Sequence, residues 1–374
     1  MTSTITRRRP TSGRRAASAV SATTAVATLV LAGCSLGGGD GGGADVGATA
    51  NGGAAGGGTL TVVTHDSFAL SQELLDQFEA DTGYQLEMVA PGDGGALVNQ
   101  LVLTADSPLG DVVYGIDNSF AARAIDAGVL EPYTPADLPT SAEQHAVDDA
   151  GSLTPVDMGD VCLNVDHQWF TEQGVPEPTT LEDLTDPAYK DLLVVTNPAT
   201  SSPGLSFLLA TVGAFGEDGW QQYWEDLKAN GVKVVEGWSD AYYVDFSGSE
   251  GAGPRPIVLS YASSPAAEVP EGGGEPRTGA MLDTCFRQVE YAGVLAGAEN
   301  PDGARAFVDF LVSPEVQADI PGQMYMYPVD DTVELPEAWA EHAPLAEEPF
   351  AVDPATISAN REEWISTWSE IVIG

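Results

Sequence analysis

Between Leu60 and Gly128 the chain alternates short β-branched runs with amphipathic stretches, and this alternation constrains the fold more than any other feature. Leu60-Thr-Val-Val-Thr64 reads as a strand. Ser71 is placed to cap a helix that carries Leu74, Leu75 and Phe78 on one face and stops at Gly83. Leu86 to Val89 is the next strand, Ala96 to Thr104 the next helix, Asp111 to Ile116 a third strand and Ser119 to Gly128 a third helix. Units of this kind form parallel sheets with right-handed crossovers, and ligands bind beyond the carboxyl ends of the strands. Those ends carry His65, Asp66, Ser67 and Phe68, then Pro91 to Gly95 with Asp93, then Asp117 and Asn118. Asp, Asn and Ser at such positions often do no more than cap the following helix. Carboxylates at three neighbouring ends nevertheless suit a cation.

The residues before this unit point to export. Arg7, Arg8, Arg9, Arg14 and Arg15 precede an apolar Ala16–Leu31 segment that ends in Leu31-Ala32-Gly33-Cys34. The arrangement resembles the bacterial lipoprotein signal, which implies that 1–33 is removed and that Cys34 is acylated. Such an anchor holds the protein to the outer face of the cytoplasmic membrane. Residues 34–58, rich in Gly and Ala, lack the large apolar side chains a core needs and read as a tether. The chain has 374 residues, so the part beyond the tether is large for one core and comfortable for two lobes. With 56 acidic residues against 14 basic ones, its surface repels polyanions, which excludes nucleic acid as a partner.

An extended segment, Ser152 to Val165, is long enough to cross into a second lobe. Leu192 to Val195 is a buried strand, followed by Asn197-Pro-Ala-Thr-Ser-Ser-Pro-Gly-Leu205 and an apolar helix through Phe215. Ser201, Ser202 and Gly204 fall at that helix start, where free N–H groups and the dipole could seat a phosphate or hydroxyl, or where the serines simply cap. Two further strands, Val232 to Val235 and Ile257 to Ser260, lead into Gly237-Trp-Ser-Asp-Ala-Tyr-Tyr243 and Tyr261-Ala-Ser-Ser-Pro265. Tyr325 and Tyr327 repeat the pattern of aromatics in polar loops near the end. Acids on one side, a hydrogen-bonding helix start on the other and aromatic faces between them imply a flat cationic heterocycle with a polar tail.

Six blocks, Thr64-His-Asp-Ser-Phe68, Gly115-Ile-Asp-Asn118, Thr200-Ser-Ser-Pro-Gly-Leu205, Gly237-Trp-Ser-Asp-Ala-Tyr242, Leu259-Ser-Tyr-Ala-Ser-Ser-Pro265 and Met326-Tyr-Pro-Val329, stand in the order found in one family. In them, and in Arg361-Glu-Glu-Trp364 with Trp368, the chain resembles the thiamine-binding substrate-binding proteins of ABC importers. The resemblance implies an α/β fold of the two-lobed periplasmic-binding-protein type (type II), each lobe a mostly parallel sheet flanked by helices, with the ligand in the interlobe cleft. It implies discontinuous lobes, 59–156 with 262–284 and 157–261 with 285–374. It implies a monomeric carrier without cofactor that is no enzyme, and that takes up thiamine or its phosphate esters for delivery to a permease and its ATPase.

Carried over by motif, Asp117 accepts from the aminopyrimidine and offsets the thiazolium charge, with Asp66, Ser67 and Asn118 beside it. Tyr261 and Tyr325 stack on the rings, and Trp238, Tyr242 and Ser201 or Ser202 line the far lobe. The chain departs from the enteric members in Tyr325 for Trp, His65 for Tyr and Ala199 for Arg.

Ferric-ion-binding proteins of related importers are the alternative, because Tyr242-Tyr243, His65 and Asp93 together suit a hard trivalent ion. A hydrolase finds no support: neither Gly-x-Ser-x-Gly nor His-Glu-x-x-His occurs. Cys162 and Cys285, in predicted strands of an exported chain, are expected to form a disulfide.

Overall fold

Val62 and Val63, β-branched and fully buried, sit in a strand paired on both sides. A computed structural model describes residues 57–374 apart from 250, 251 and 271; the expected signal, Cys34 and all but the end of the tether lie outside the described residues. Strand β1 (Gly58–Thr64) lies between β2 (Tyr84–Val89) and β3 (Val112–Asp117), parallel to both. Helix α1 (Gln72–Thr82) ends as expected at Gly83, which adopts φ 76° and returns its N–H to Glu79 O. Helix α2 (Gly94–Leu103) follows β2, and α3 (Ala121–Asp126) follows β3.

After a short β4 (Leu130–Glu131) comes β5 (Thr154–Asp166), the extended crossing segment. Helix α4 (His167–Gln173), β6 (Leu193–Thr196), α5 (Ser202–Phe215), α6 (Trp220–Ala229), β7 (Lys233–Val235) and β8 (Ile257–Tyr261) build the second lobe. There β6 runs parallel between β7 and β8, and β8 runs antiparallel to β5. The long β9 (Thr278–Leu295) then returns antiparallel to β5 through both lobes, and β10 (Tyr327–Pro328) adds to β5. The path of the sheet is therefore β2-β1-β3-β9-β5-β8-β6-β7.

This route corrects the expected division of the chain. Thr278 to Met281 pair with Asp166 to Leu163 in the second lobe, whereas 262–284 was expected in the first. Phe286 onward pairs with the start of β5 and with β3 and β4, and Phe307, Leu311 and Ile320 pack on Leu60 and Val62, so most of 285–329 belongs to the first lobe. The chain returns to the second lobe at Phe350 and Ala351, beside Gly213 of α5, and in the closing helix, Pro354–Val372, where Trp368 meets Trp224 edge-on at 5.4 Å. The physical reason is the continuity of β9, an 18-residue strand that carries the chain across rather than opening a new unit at Cys285.

Midway along that pair the register slips, between Val161 opposite Phe286 and Leu163 opposite Met281. Cys162 and Cys285 form the expected disulfide at this slip, with Cα atoms 4.2 Å apart. Two ion pairs fix the same strands. Arg287 binds Asp160 through two hydrogen bonds of 2.7 and 2.9 Å, and Arg277 binds Asp166 through two of 3.0 and 2.7 Å.

Candidate functional site

The strand ends of both lobes converge on a cavity of about 470 Å³. The first lobe supplies His65, Asp66 and Ser67 after β1, Asp93 after β2, Glu290 from β9 and Tyr325 beyond the helix Pro314–Gln323. Ser202, Trp238, Tyr242, Tyr261 and Glu268 come from the second lobe.

Asp93 joins the two sides. Its Oδ1 accepts from Gly94 N at 2.6 Å, capping α2, and from Ser202 N at 3.0 Å on the far lobe, while Oδ2 accepts from Trp238 N at 3.0 Å. Burial pushes its carboxyl up, against the opposing pull of the Trp238 and Ser202 N–H groups and of His65. Around this residue the lobes touch closely, because positions 94 and 95 have no side chain. Ala96 N donates to Thr200 O at 2.8 Å, and a Cβ at Gly95 would lie 2.7 Å from the backbone carbon of Thr200. Gly95→Ala is therefore expected to leave the fold intact but to hold the lobes apart. Overpacking of this kind costs roughly 1–3 kcal/mol, which is about a 5- to 150-fold loss of ligand affinity. Calorimetry checks the affinity and small-angle scattering the separation; an unchanged affinity would show that the contact gives way freely.

Behind the first-lobe wall lies a buried polar group. Tyr114 Oη donates toward Asp157 and lies 3.0 Å from Glu290 Oε2, and Gln288 Nε2 donates to Glu290 Oε1 at 3.1 Å. Burial and the Glu290 charge push Asp157 well up, against the hydrogen bond from Tyr114. Burial also opposes ionisation of Glu290, but the charge and hydrogen bond of His65, with Tyr114 and Asp157, outweigh it and hold that carboxyl down. Glu290 thus presents a negative charge at the cavity. His65 Nε2 stands 3.5 Å from it, and His65 Nδ1 accepts from Ser67 N at 3.1 Å, orienting the ring. Gly115, at φ 97°, makes room for that ring: a Cβ there would meet His65 Cδ2 at 2.2 Å.

Aromatic faces complete the walls. Trp238 stacks on Tyr242 at 5.0 Å and 17°, its Nε1 donates to Ser260 Oγ at 2.9 Å, and Tyr261 lies 6.4 Å away. Tyr325 is 39% exposed, sits at φ 55°, and has its carbonyl held by the Ser263 hydroxyl at 2.5 Å. Acids within an aromatic enclosure attract an organic cation through both Coulombic and cation–π terms.

Of the residues singled out in the sequence, Asp66, Ser67, Ser202, Trp238, Tyr242, Tyr261 and Tyr325 line the cavity. Asp117, Asn118 and Ser201 do not. Asp117 is fully buried and its Oδ1 accepts from the N–H groups of Ser119 and Phe120 at the start of α3. Burial pushes its carboxyl up, offset by Ser119, the Ser202 hydroxyl and Phe120, so it stands a layer behind the wall. Asn118 binds the β9 backbone at Arg287 O and Val289 N, and Ser201 turns to Thr196 Oγ1 at 2.8 Å and caps α5 through Gly204 N.

The tyrosine pair of the alternative iron reading lines the cavity with its two members differently placed. Burial and Glu268 push the Tyr242 hydroxyl far up and it donates to Glu268 Oε1 at 2.9 Å, whereas Tyr243 points its ring edge-on to Trp238 and is half exposed. Among the described residues no group of three or more His, Cys, Asp or Glu is arranged to hold a metal. Sequence reasoning missed Glu290 and Glu268 as wall residues. For Glu290 the available signal was an acid set in the apolar run Val289-Glu-Tyr-Ala-Gly-Val294, where a solvated position is hard to find.

Known proteins resemble the chain as a whole. Residues 107–347 match the family described as bacterial extracellular solute-binding protein. The chain is 31% identical over 323 residues to the thiamine-binding periplasmic protein of Escherichia coli (strain K12), covering 84% of this chain and 93% of that protein. Its structure superposes on that of a periplasmic thiamin binding protein with a TM-score of 0.73 at 30% identity, over 84% of this chain and 96% of the other. Iron-bound HitA from Pseudomonas aeruginosa, 22% identical with a TM-score of 0.64 over 84% of this chain and 99% of the other, shares the fold alone.

Proposed function

The chain belongs to the bacterial extracellular solute-binding proteins and, among them, to the thiamine-binding periplasmic protein family, and on that premise we propose that it captures thiamine outside the cytoplasm for an ABC importer. The observation that carries the reading is the cavity itself: ionised Glu290 and the interlobe Asp93 face the stacked Trp238–Tyr242 pair with Tyr261 and Tyr325 beside them. The thiazolium charge is matched by the acids, and both rings of the vitamin have aromatic faces to lie against.

In this proposal Asp93 takes the place that the motif resemblance gave to Asp117. It is the carboxylate that reaches the cavity, and it also engages the far lobe, so ligand capture and closure bias the same equilibrium. Closure then forms the surface that the permease reads. The protein carries its ligand unchanged, works as a monomer and is tethered through acylated Cys34 to the outer face of the membrane. No described helix is long and apolar enough to cross a bilayer.

The test is titration of the purified protein. Thiamine is expected to bind one-to-one with quenching of Trp fluorescence through Trp238. Ferric ion is expected to give no charge-transfer band. Absence of both heat and quenching with thiamine at about 1 mM, a concentration that reveals even weak binding, would remove the proposal.

A further inference from the structure

We propose that capture of the vitamin is coupled to release of a proton from His65: the neutral ring admits the ligand cation, and a protonated ring takes that cation's place at Glu290. The proposal rests on the proposed binding of thiamine in this cavity.

The two nitrogens of this ring have different tasks. Nδ1 accepts from Ser67 N at 3.1 Å, so the single proton of the ring sits on Nε2, which stands 3.5 Å from Glu290 Oε1. A second proton has to go onto Nδ1, where it would face the Ser67 N–H and break that bond. The loss reaches beyond the ring. Ser67 Oγ lies 3.5 Å from the Ser239 hydroxyl of the second lobe, and in the same turn Asp66 N donates to Gly92 O at 3.0 Å, next to Asp93. Protonation therefore loosens a turn that lines the cavity and touches the far lobe.

Charge works in the same direction. The acids facing His65 are Glu290 of β9, Asp93 after β2 and Asp66 of its own turn. Tyr114 of β3 lies ring to ring at 5.4 Å with Asp157 of β5 behind it, and Tyr261 of β8 closes the wall. Burial and the neighbouring acids push both phenols well up, so neither gives up a proton near neutral pH. Burial draws the imidazole down, but Glu290 beside it, with Asp93 and Asp66, outweighs this and raises it above its ordinary value. No Lys or Arg is among the described lining residues, so the imidazolium is the cation these residues supply to the acids. A thiazolium brought to the same acids meets a like charge and weakens the hold of the ring on its proton. The proton leaves wherever the pH lies between the lowered value with ligand and the raised value without it. Across that window affinity rises with pH.

Calorimetric titration of the purified protein with thiamine between about pH 6 and 8.5, in buffers of different ionisation enthalpy, reads both affinity and protons released. Affinity is expected to rise about tenfold over this range, with net proton release on binding. Proton NMR gives a readout that does not depend on affinity. Of the four histidines, the one whose ring signals vanish in His65→Gln should titrate at lower pH when thiamine is present. Glutamine still offers Ser67 N an acceptor and carries no charge, so in that variant the pH dependence should flatten to within about twofold. Affinity in the parent that is independent of pH, or that rises as pH falls, would overturn the proposal and leave the thiamine reading in place. Proton release that persists in His65→Gln would trace it to a carboxylate such as Asp93 and overturn the proposal too. No heat with thiamine at any pH would defeat both.

Discussion

Asp93→Asn is expected to lower thiamine affinity by about 30- to 100-fold. Three effects act in the same direction. The substitution removes the carboxylate that faces the ligand cation, and it weakens the acceptors for Ser202 N and Trp238 N, which lie 3.0 Å from Oδ1 and Oδ2. It also costs part of the cap on α2 at Gly94 N. Hydrogen bonds to a charged group contribute roughly 1.5–3 kcal/mol, and about 2–2.7 kcal/mol of net loss corresponds to the stated range. Because asparagine is nearly isosteric and still accepts one hydrogen bond, the fold should persist, which thermal unfolding will verify. Calorimetry gives the affinity, and small-angle scattering should show a more open average with ligand present. A variant within threefold of the parent would mean that the cation is held elsewhere, with Glu290 the next candidate.

Loss of the Cys162–Cys285 bridge is expected to have the largest effect on stability. The two cysteines are 123 residues apart in sequence, so the bridge removes a long loop's freedom from the unfolded chain. Loops of that length correspond to about 5 kcal/mol in the chain-entropy description. Both positions are fully buried between β5 and β9, so paired serines would add two hydroxyls to an apolar pocket that holds Ala262 and Ala346. Thermal unfolding of the parent with and without reductant, and of the double Cys→Ser variant, should show this loss. Ligand affinity at low temperature should change little, since neither residue lines the cavity. A stability change under about 1 kcal/mol would place the bridge among those whose reduced form is well accommodated.

The parts of the fold that were legible in the sequence are those decided locally. The run Leu60 to Thr64 is β-branched and apolar, Gly83 ends α1 through a backbone conformation that favours glycine, and Ser201 precedes Pro203 at the start of α5, so each element announces itself within a few residues. The strand ends therefore led directly to His65, Asp66, Ser67, Trp238 and Tyr261. Asp93 and Asp117 show where local reading stops. Both follow strands and both cap helices, but Asp117 spends its Oδ1 on Ser119 and Phe120 within its own turn, whereas Asp93 turns Oδ2 across to Trp238, 145 residues away. Nothing near either acid in sequence distinguishes them. Glu290 was hidden for a related reason. Its place beside the cavity depends on the register of β9 against Asp117 of β3 and Asp157 of β5, which forms only when distant segments meet. The path of β9 through both lobes misled the division of the chain in the same way.

Tyr325 has a wider consequence. A residue with a Cβ at φ 55° costs the backbone on the order of 1 kcal/mol relative to glycine, and the Ser263 hydroxyl on its carbonyl helps keep it there. That penalty turns an aromatic ring toward the cavity rather than toward the interior. Only glycine at 325 would relieve that cost, and glycine would remove the ring from the cavity wall, so backbone ease and an aromatic wall cannot both be had at this position.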